Sequence, residues 1–368
     1  MSRINLVIAD TDSYYVEGLV KFLGEHYNQE LQINYFTENM YLYSYLNSKG
    51  ASIDILLISP ELMADTFDFG TIKLVLILSG GRTEAVAEGL GTVNKYQRGD
   101  KLAACVLNAY AEKYPNEIHV RGCEKQARVT AVFSPIGGVG KSTLAIALAV
   151  QAAATGKKVF YLNLETIQTT PVFFNCSAEK TLSDVLYFVR DKNKALPIKI
   201  EGVKQVDTYT DIHYFSPPES ISDLEEARPE ELAQLVSQLK TMNKYSTVIV
   251  DMSCSLDKKN LSVLGGCDEI MVPFDQSSAS GIRIQSFIRE LRIMDSRFQV
   301  KLRDRCLPVL NKYVPAPDMY HEAMEFDGVP VEYRLPRTQA LFSQRDGRLT
   351  INLNNTFGEL IGALAERI

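Results

Sequence analysis

Residues 131–143 read Ala-Val-Phe-Ser-Pro-Ile-Gly-Gly-Val-Gly-Lys-Ser-Thr. An apolar stretch at 129–133 leads in with strand character, three glycines follow, and Gly-Lys-Ser-Thr opens a run rich in strong helix formers at 142–153. Strand, glycine turn and helix in that order predict a P-loop. Gly137, Gly138 and Gly140, with Val139 between them, let the backbone curl so that successive N–H groups face phosphate oxygens. The helix N-terminus adds partial positive charge. Lys141 is placed to reach the β- and γ-phosphates, and Ser142, followed by Thr143, offers Mg²⁺ a hydroxyl. Downstream, 246–251 (Ser-Thr-Val-Ile-Val-Asp) is a β-branched strand ending on Asp251, a carboxylate able to hold Mg²⁺ through water.

Working outward, strands are expected near 129–133, 158–163, 211–215, 246–251, 268–272 and 306–311. Helices are expected at 142–155, 228–243 and 280–294. The alternation predicts a mostly parallel sheet with its ligand at the strands' carboxyl ends. Residues 191–222, with Pro197, Pro217 and Pro218, read as a surface excursion. Ahead of the P-loop, a polar stretch holding Pro115 and Gly122 marks a linker at 119–127. Before it, strands at 4–9, 32–36, 54–58, 74–79 and 91–94 alternate with helices near 16–23, 39–48, 84–89 and 100–113. The expected fold class is therefore α/β. A flavodoxin-like doubly wound domain at 1–118 precedes a doubly wound P-loop domain at 128–368.

Composition narrows the function classes. With 46% hydrophobic and 23% charged residues in 368, the chain suits folded domains and not disorder. Its longest apolar runs, such as 74–78, are far too short to span a bilayer, and no secretory leader is expected at the N-terminus. Six isolated cysteines and four scattered histidines predict reduced thiols and no Cys/His metal centre. Residues 1–118 carry 9 Lys and Arg against 15 Asp and Glu, and the rest balances at 30 against 30. That charge does not favour nucleic acid, although 283–312 holds eight cations against three acidic residues.

The first half resembles a response-regulator receiver domain with its chemistry removed. Asp10 matches the first of the receiver's acidic pair, but Thr11 replaces the second. Ser59 stands where the phosphate-accepting aspartate belongs, while Ser79 and Lys95 match the switch hydroxyl and lysine. Without a carboxylate nucleophile no acyl phosphate forms, so a pseudo-receiver that binds partners is expected.

The second half is similar to the deviant Walker A ATPases of the MinD/ParA family. The likeness rests on Gly-Gly-Val-Gly-Lys-Ser-Thr, on 157–165, 181–186, 267–273 and 308–312, and on 333–339. It implies ATP with Mg²⁺ bound by Ser142 and Asp251, catalytic roles for Lys141, Glu165 and Asp251, and an ATP-dependent homodimer. It also implies that Asn311 reads the adenine edge and that the stretch containing Pro336 closes over the base. Three departures stand out. Ile136 replaces the lysine that reaches across the dimer, Asn163-Leu-Glu165 replaces Asp-x-Asp, and Met252-Ser-Cys follows Asp251 in place of Thr-Pro-Pro. Loss of a cation aimed at phosphate predicts retained binding with at most weak ATP hydrolysis.

The order of the two halves resembles the TadZ/CpaE family of pilus-assembly proteins in the tight-adherence (Flp) system. This implies a cytoplasmic factor, peripheral to the membrane at most, that localises the secretion machinery to a cell pole through its pseudo-receiver. Two alternatives stay open. The basic stretch at 283–312 would suit a ParA-like partition ATPase on DNA. The amphipathic C-terminus, with Phe357, Leu360, Ile361, Leu364 and Ile368 on one side, would suit a MinD-like membrane cycler, although its poverty in Lys and Arg favours a core helix.

Overall fold

A computed structural model describes residues 3–28, 30–48, 52–63, 70, 72–80, 90–114, 126–176, 179–191, 196–298, 301–315 and 325–368. The chain divides into two compact units, one made of residues 1–121 with 193–202, the other of 122–192 with 203–368. The helix expected near 84–89 and most of the linker at 119–127 lie outside the described residues.

In the first unit the elements are β1 (Ile4–Ala9), α1 (Ser13–His26), β2 (Leu31–Phe36), α2 (Asn39–Leu46), β3 (Ile55–Ile58), β4 (Leu74–Ser79), β5 (Gly91–Asn94) and α3 (Gly99–Lys113). The strands run parallel in the order β2-β1-β3-β4-β5. Because strand side chains alternate between faces, Leu6 and Ile8 pack with Val16, Leu19, Leu102 and Val106 under α1 and α3. Val7 and Ala9 pack with Leu42 and Leu56 on the other face. Asp12 caps α1, its Oδ1 accepting the Tyr15 N–H at 3.1 Å.

The second unit begins with β6 (Arg128–Val132), α4 (Lys141–Ala154), β7 (Val159–Asn163), α5 (Thr170–Phe173) and α6 (Leu182–Arg190). The chain then forms α7 (Leu196–Val203), whose residues 196–202 belong to the first unit, before the second unit resumes with β8 (Gln205–Val206), β9 (His213–Tyr214), α8 (Ile221–Glu225), α9 (Pro229–Thr241), β10 (Thr247–Asp251), α10 (Lys258–Gly266) and β11 (Glu269–Phe274). It closes with α11 (Ser278–Phe298), β12 (Cys306–Tyr313), β13 (Glu325–Phe326), β14 (Val329–Pro330), β15 (Tyr333–Pro336), β16 (Phe342–Arg345), β17 (Arg348–Ile351) and α12 (Thr356–Ala365). Eight strands form one sheet in the order β15-β12-β11-β6-β10-β7-β9-β8, parallel except for the β8–β9 pair.

Among the described residues, 191 and 196–222 are not a surface excursion. They supply α7, β8, β9 and the start of α8, and Leu196, Ile198, Ile200 and Val203 are buried. Ile198 belongs to the α1–α3 side of the first unit's core, with which 193–202 is grouped. Pro197 is the second residue of α7, where a missing N–H breaks no helical bond.

The C-terminal segment is likewise a core helix. Phe357, Ile361 and Leu364 of α12 are buried in a cluster with Leu144, Ala145 and Leu148 of α4. Among the described residues no helix is long and apolar enough to cross a membrane.

Candidate nucleotide site

Strand register brings the P-loop and the two acidic segments together. Asp251 pairs with Val132 on one side and with Asn163 on the other. The turn after β6, the end of β10 and the end of β7 therefore leave the sheet at one level. Gly138 and Gly140 adopt φ of +75° and +93°, the left-handed region that glycine enters without a Cβ clash. Gly140 caps α4, whose first residue is the buried Lys141.

At the head of α4 the Ser142 hydroxyl donates to Glu165 Oε2 at 3.2 Å. Glu165 is held in turn by Asn163, whose Oδ1 accepts the Glu165 backbone N–H at 2.8 Å. Asp251 is fully buried and accepts a 2.8 Å hydrogen bond from the Tyr161 hydroxyl on Oδ2. Its other oxygen, Oδ1, is buried with no hydrogen-bond partner.

Burial pushes the Asp251 carboxyl up to about 7, and the charge of Glu165 acts the same way; Ser142, Tyr161 and Lys141 oppose it. Burial also raises Glu165, against the pull of Lys141 and Ser142. Tyr161 is held well above its ordinary value by burial and by Asp251, so it stays a proton donor. A buried carboxylate oxygen with no donor, beside a hydroxyl at a helix head, fits a divalent cation that supplies the missing positive charge.

Asn311 and Pro336 come to the other flank of the P-loop. With Gly140, Thr143, Lys312 and Phe342 they line a cavity of about 440 Å³. Asn311 Nδ2 donates to the Val139 carbonyl at 2.8 Å, so its amide braces the phosphate loop. Lys312, at φ +56°, lays its Nζ on the Gly138 carbonyl at 2.7 Å. Sequence reasoning missed Lys312 as a brace, and missed Tyr161 altogether. The Lys312 signal was its place beside Asn311; Tyr161 looked like any strand residue. Ile136, at the position of the absent lysine, is buried.

In the first unit, Asp10 and Lys95 form a 3.1 Å ion pair, with the Asp10 side chain fully buried. Ser59 is buried at the end of β3, its N–H bonded to the Ala9 carbonyl. The Lys95 ammonium lies 5.4 Å from the ring centroids of both Tyr15 and Tyr96.

Four of the eight cations in the basic stretch have separate intrachain partners. Arg292 and Arg303 pair with Asp327, and Arg305 donates to the carbonyls of Gly265 and Cys267. Lys312 braces the P-loop from β12.

Comparison with known proteins bears on the fold of the second unit. Residues 127–303 match a family described as an AAA domain. Among solved structures, the septum site-determining protein MinD of Pyrococcus horikoshii, complexed with Mg-ADP, is 19% identical. It covers 66% of this chain and 95% of its own length at a TM-score of 0.51. The cell division ATPase MinD of Pyrococcus furiosus is 18% identical, covering 65% and 97% at a TM-score of 0.50. No curated protein matches. The second unit thus has a MinD/ParA-like P-loop ATPase fold.

Proposed function

We propose that this chain is an ATP-binding positioning factor for assembly of Flp-type pili, of the TadZ/CpaE kind. In this reading residues 1–118 are a pseudo-receiver that docks pilus-assembly proteins at a cell pole, and 128–368 bind ATP with Mg²⁺. Two copies then pair through their ATPase halves.

The observation that carries the proposal is the receiver-type sheet. Asp10, the match to the first of the receiver's acidic pair, is already neutralised by Lys95, and Ser59 stands in place of a phosphate acceptor, in one chain with a P-loop ATPase fold. Such a unit has no phosphoryl chemistry of its own, so control falls to the nucleotide. Buried Ile136 offers no charge to a γ-phosphate, which favours slow hydrolysis. A membrane-inserting C-terminus is disfavoured by the burial of Phe357, Ile361 and Leu364. A DNA-binding stripe is disfavoured by the intrachain partners of Arg292, Arg303, Arg305 and Lys312.

The test is a fluorescent fusion in the native cells, wild type beside Lys141→Ala. A polar focus that disperses in the variant is the expected result. Signal over the nucleoid or along the whole membrane in the wild type would overturn the proposal.

A further inference from the structure

We propose that Tyr161 and Asn163 are a positioning pair that aims Asp251 and Ser142 at the divalent cation. On this view the amide at 163 is a working part and not a weakened carboxylate. The inference rests on the nucleotide-site reading above.

The assignment follows from counting protons along one chain of hydrogen bonds. Asn163 Oδ1 accepts the Glu165 N–H at 2.8 Å, which turns Nδ2 towards the Tyr161 hydroxyl, 3.4 Å away. A phenol has a single proton to give. With its lone pair facing an amide donor, Tyr161 directs that proton to Asp251 Oδ2 at 2.8 Å. Asp251 is then clamped by one oxygen, and Oδ1 keeps its lone pairs for a cation. At the other end Glu165 accepts the Ser142 hydroxyl proton at 3.2 Å, which leaves the lone pairs of Ser142 for the same ion. Both candidate cation ligands are therefore oriented by partners behind them, and Asn163 touches both partners. Such supporting contacts typically set metal affinity by 10- to 100-fold.

The amide is chemically required at this position. An aspartate there accepts from the Glu165 N–H but has nothing to donate to Tyr161. It would compete with Asp251 for the one phenol proton and bring a third carboxylate to a site already holding Asp251 and Glu165. Restoring the aspartate that MinD/ParA-like proteins carry should thus harm this protein. The phenol itself sits in the fully buried cluster around α4, so removing its oxygen leaves the packing of the ring in place.

The experiment uses the full-length chain and a fluorescent N-methylanthraniloyl ATP, titrated with Mg²⁺ from an EDTA-treated start. Tyr161→Phe is expected to raise the Mg²⁺ concentration at half-maximal response roughly 10- to 100-fold. Asn163→Asp should raise it at least as far. Nucleotide affinity in EDTA should stay within about twofold of wild type in Tyr161→Phe, a split that general destabilisation does not produce. An unchanged Mg²⁺ requirement in Tyr161→Phe, or a tighter one in Asn163→Asp, overturns the inference. If Asn163→Asp fails to fold, Tyr161→Phe decides alone. Failure of the wild type to bind the nucleotide under either condition would instead overturn the nucleotide-site reading.

Discussion

Gly140→Ala tests how the phosphate loop is braced. Gly140 stands at φ +93°, and a Cβ built there comes within 2.5 Å of Asn311 Nδ2, the atom that donates to the Val139 carbonyl. Two costs follow. Left-handed backbone at a non-glycine residue costs about 1–2 kcal/mol. Displacing Asn311 leaves a buried amide and a buried carbonyl without each other, about 1–3 kcal/mol more. The sum of about 2–5 kcal/mol should lower the melting temperature of the second unit by roughly 10 °C. Gly138→Ala is the control, because φ is +75° there but nothing lies within 4 Å of the new Cβ. It should show the backbone cost alone. The assay is thermal denaturation of nucleotide-free protein followed by circular dichroism, for both variants and for each in an Asn311→Ala background. In that background the extra cost of Gly140→Ala should vanish, a coupling of about 1–3 kcal/mol. Equal shifts for the two glycine variants, or an undiminished cost beside Asn311→Ala, would refute the reasoning.

Three further outcomes are expected. Asp10→Asn strips Lys95, whose side chain is only 12% exposed, of its ionic partner, so the first unit should lose about 3 kcal/mol in a denaturant titration. Ile361→Ala should destabilise the second unit by about 2–5 kcal/mol and leave liposome sedimentation unchanged, because Ile361 is fully buried; a membrane-facing helix would give the reverse. In metal-free protein Asp251 holds its proton more tightly folded than unfolded, with a folded value of about 7 against 3.8. Its contribution to stability is therefore lost as pH rises through that window. Asp251→Asn should accordingly raise the melting temperature at pH 8 and change it little at pH 4, as calorimetry in EDTA would record.

The P-loop was legible because its signal is local: glycines, lysine and hydroxyl sit within seven residues, between a strand and a helix. Strands β1, β3 and β4 of the first unit were legible for a similar reason, each a short, mostly apolar run set off by polar or turn residues. What escaped was long-range. Pro197, Lys199 and Glu201 punctuate α7 like a loop, yet Ile198 is drawn into a core built from residues far earlier in the chain. The β16–β17 hairpin was missed although Asp346-Gly347, at φ of +49° and +77°, is a recognisable turn pair between short polar strands. Tyr161 carries no motif. Only the β7–β10 register, which sets it opposite Ile249 and two residues below Asp251, shows what its hydroxyl can reach. The sequence places Asn311 at the adenine edge by resemblance alone, whereas its bond to the Val139 carbonyl depends on β12 ending beside the loop.

The most direct test of the central claim is calorimetric titration of ATP into the full-length protein, with Mg²⁺ and with EDTA. One site per chain, tighter with Mg²⁺ and lost in Lys141→Ala, is the predicted result. No heat in the wild type, or binding indifferent to Lys141, would contradict the assignment of the phosphate loop.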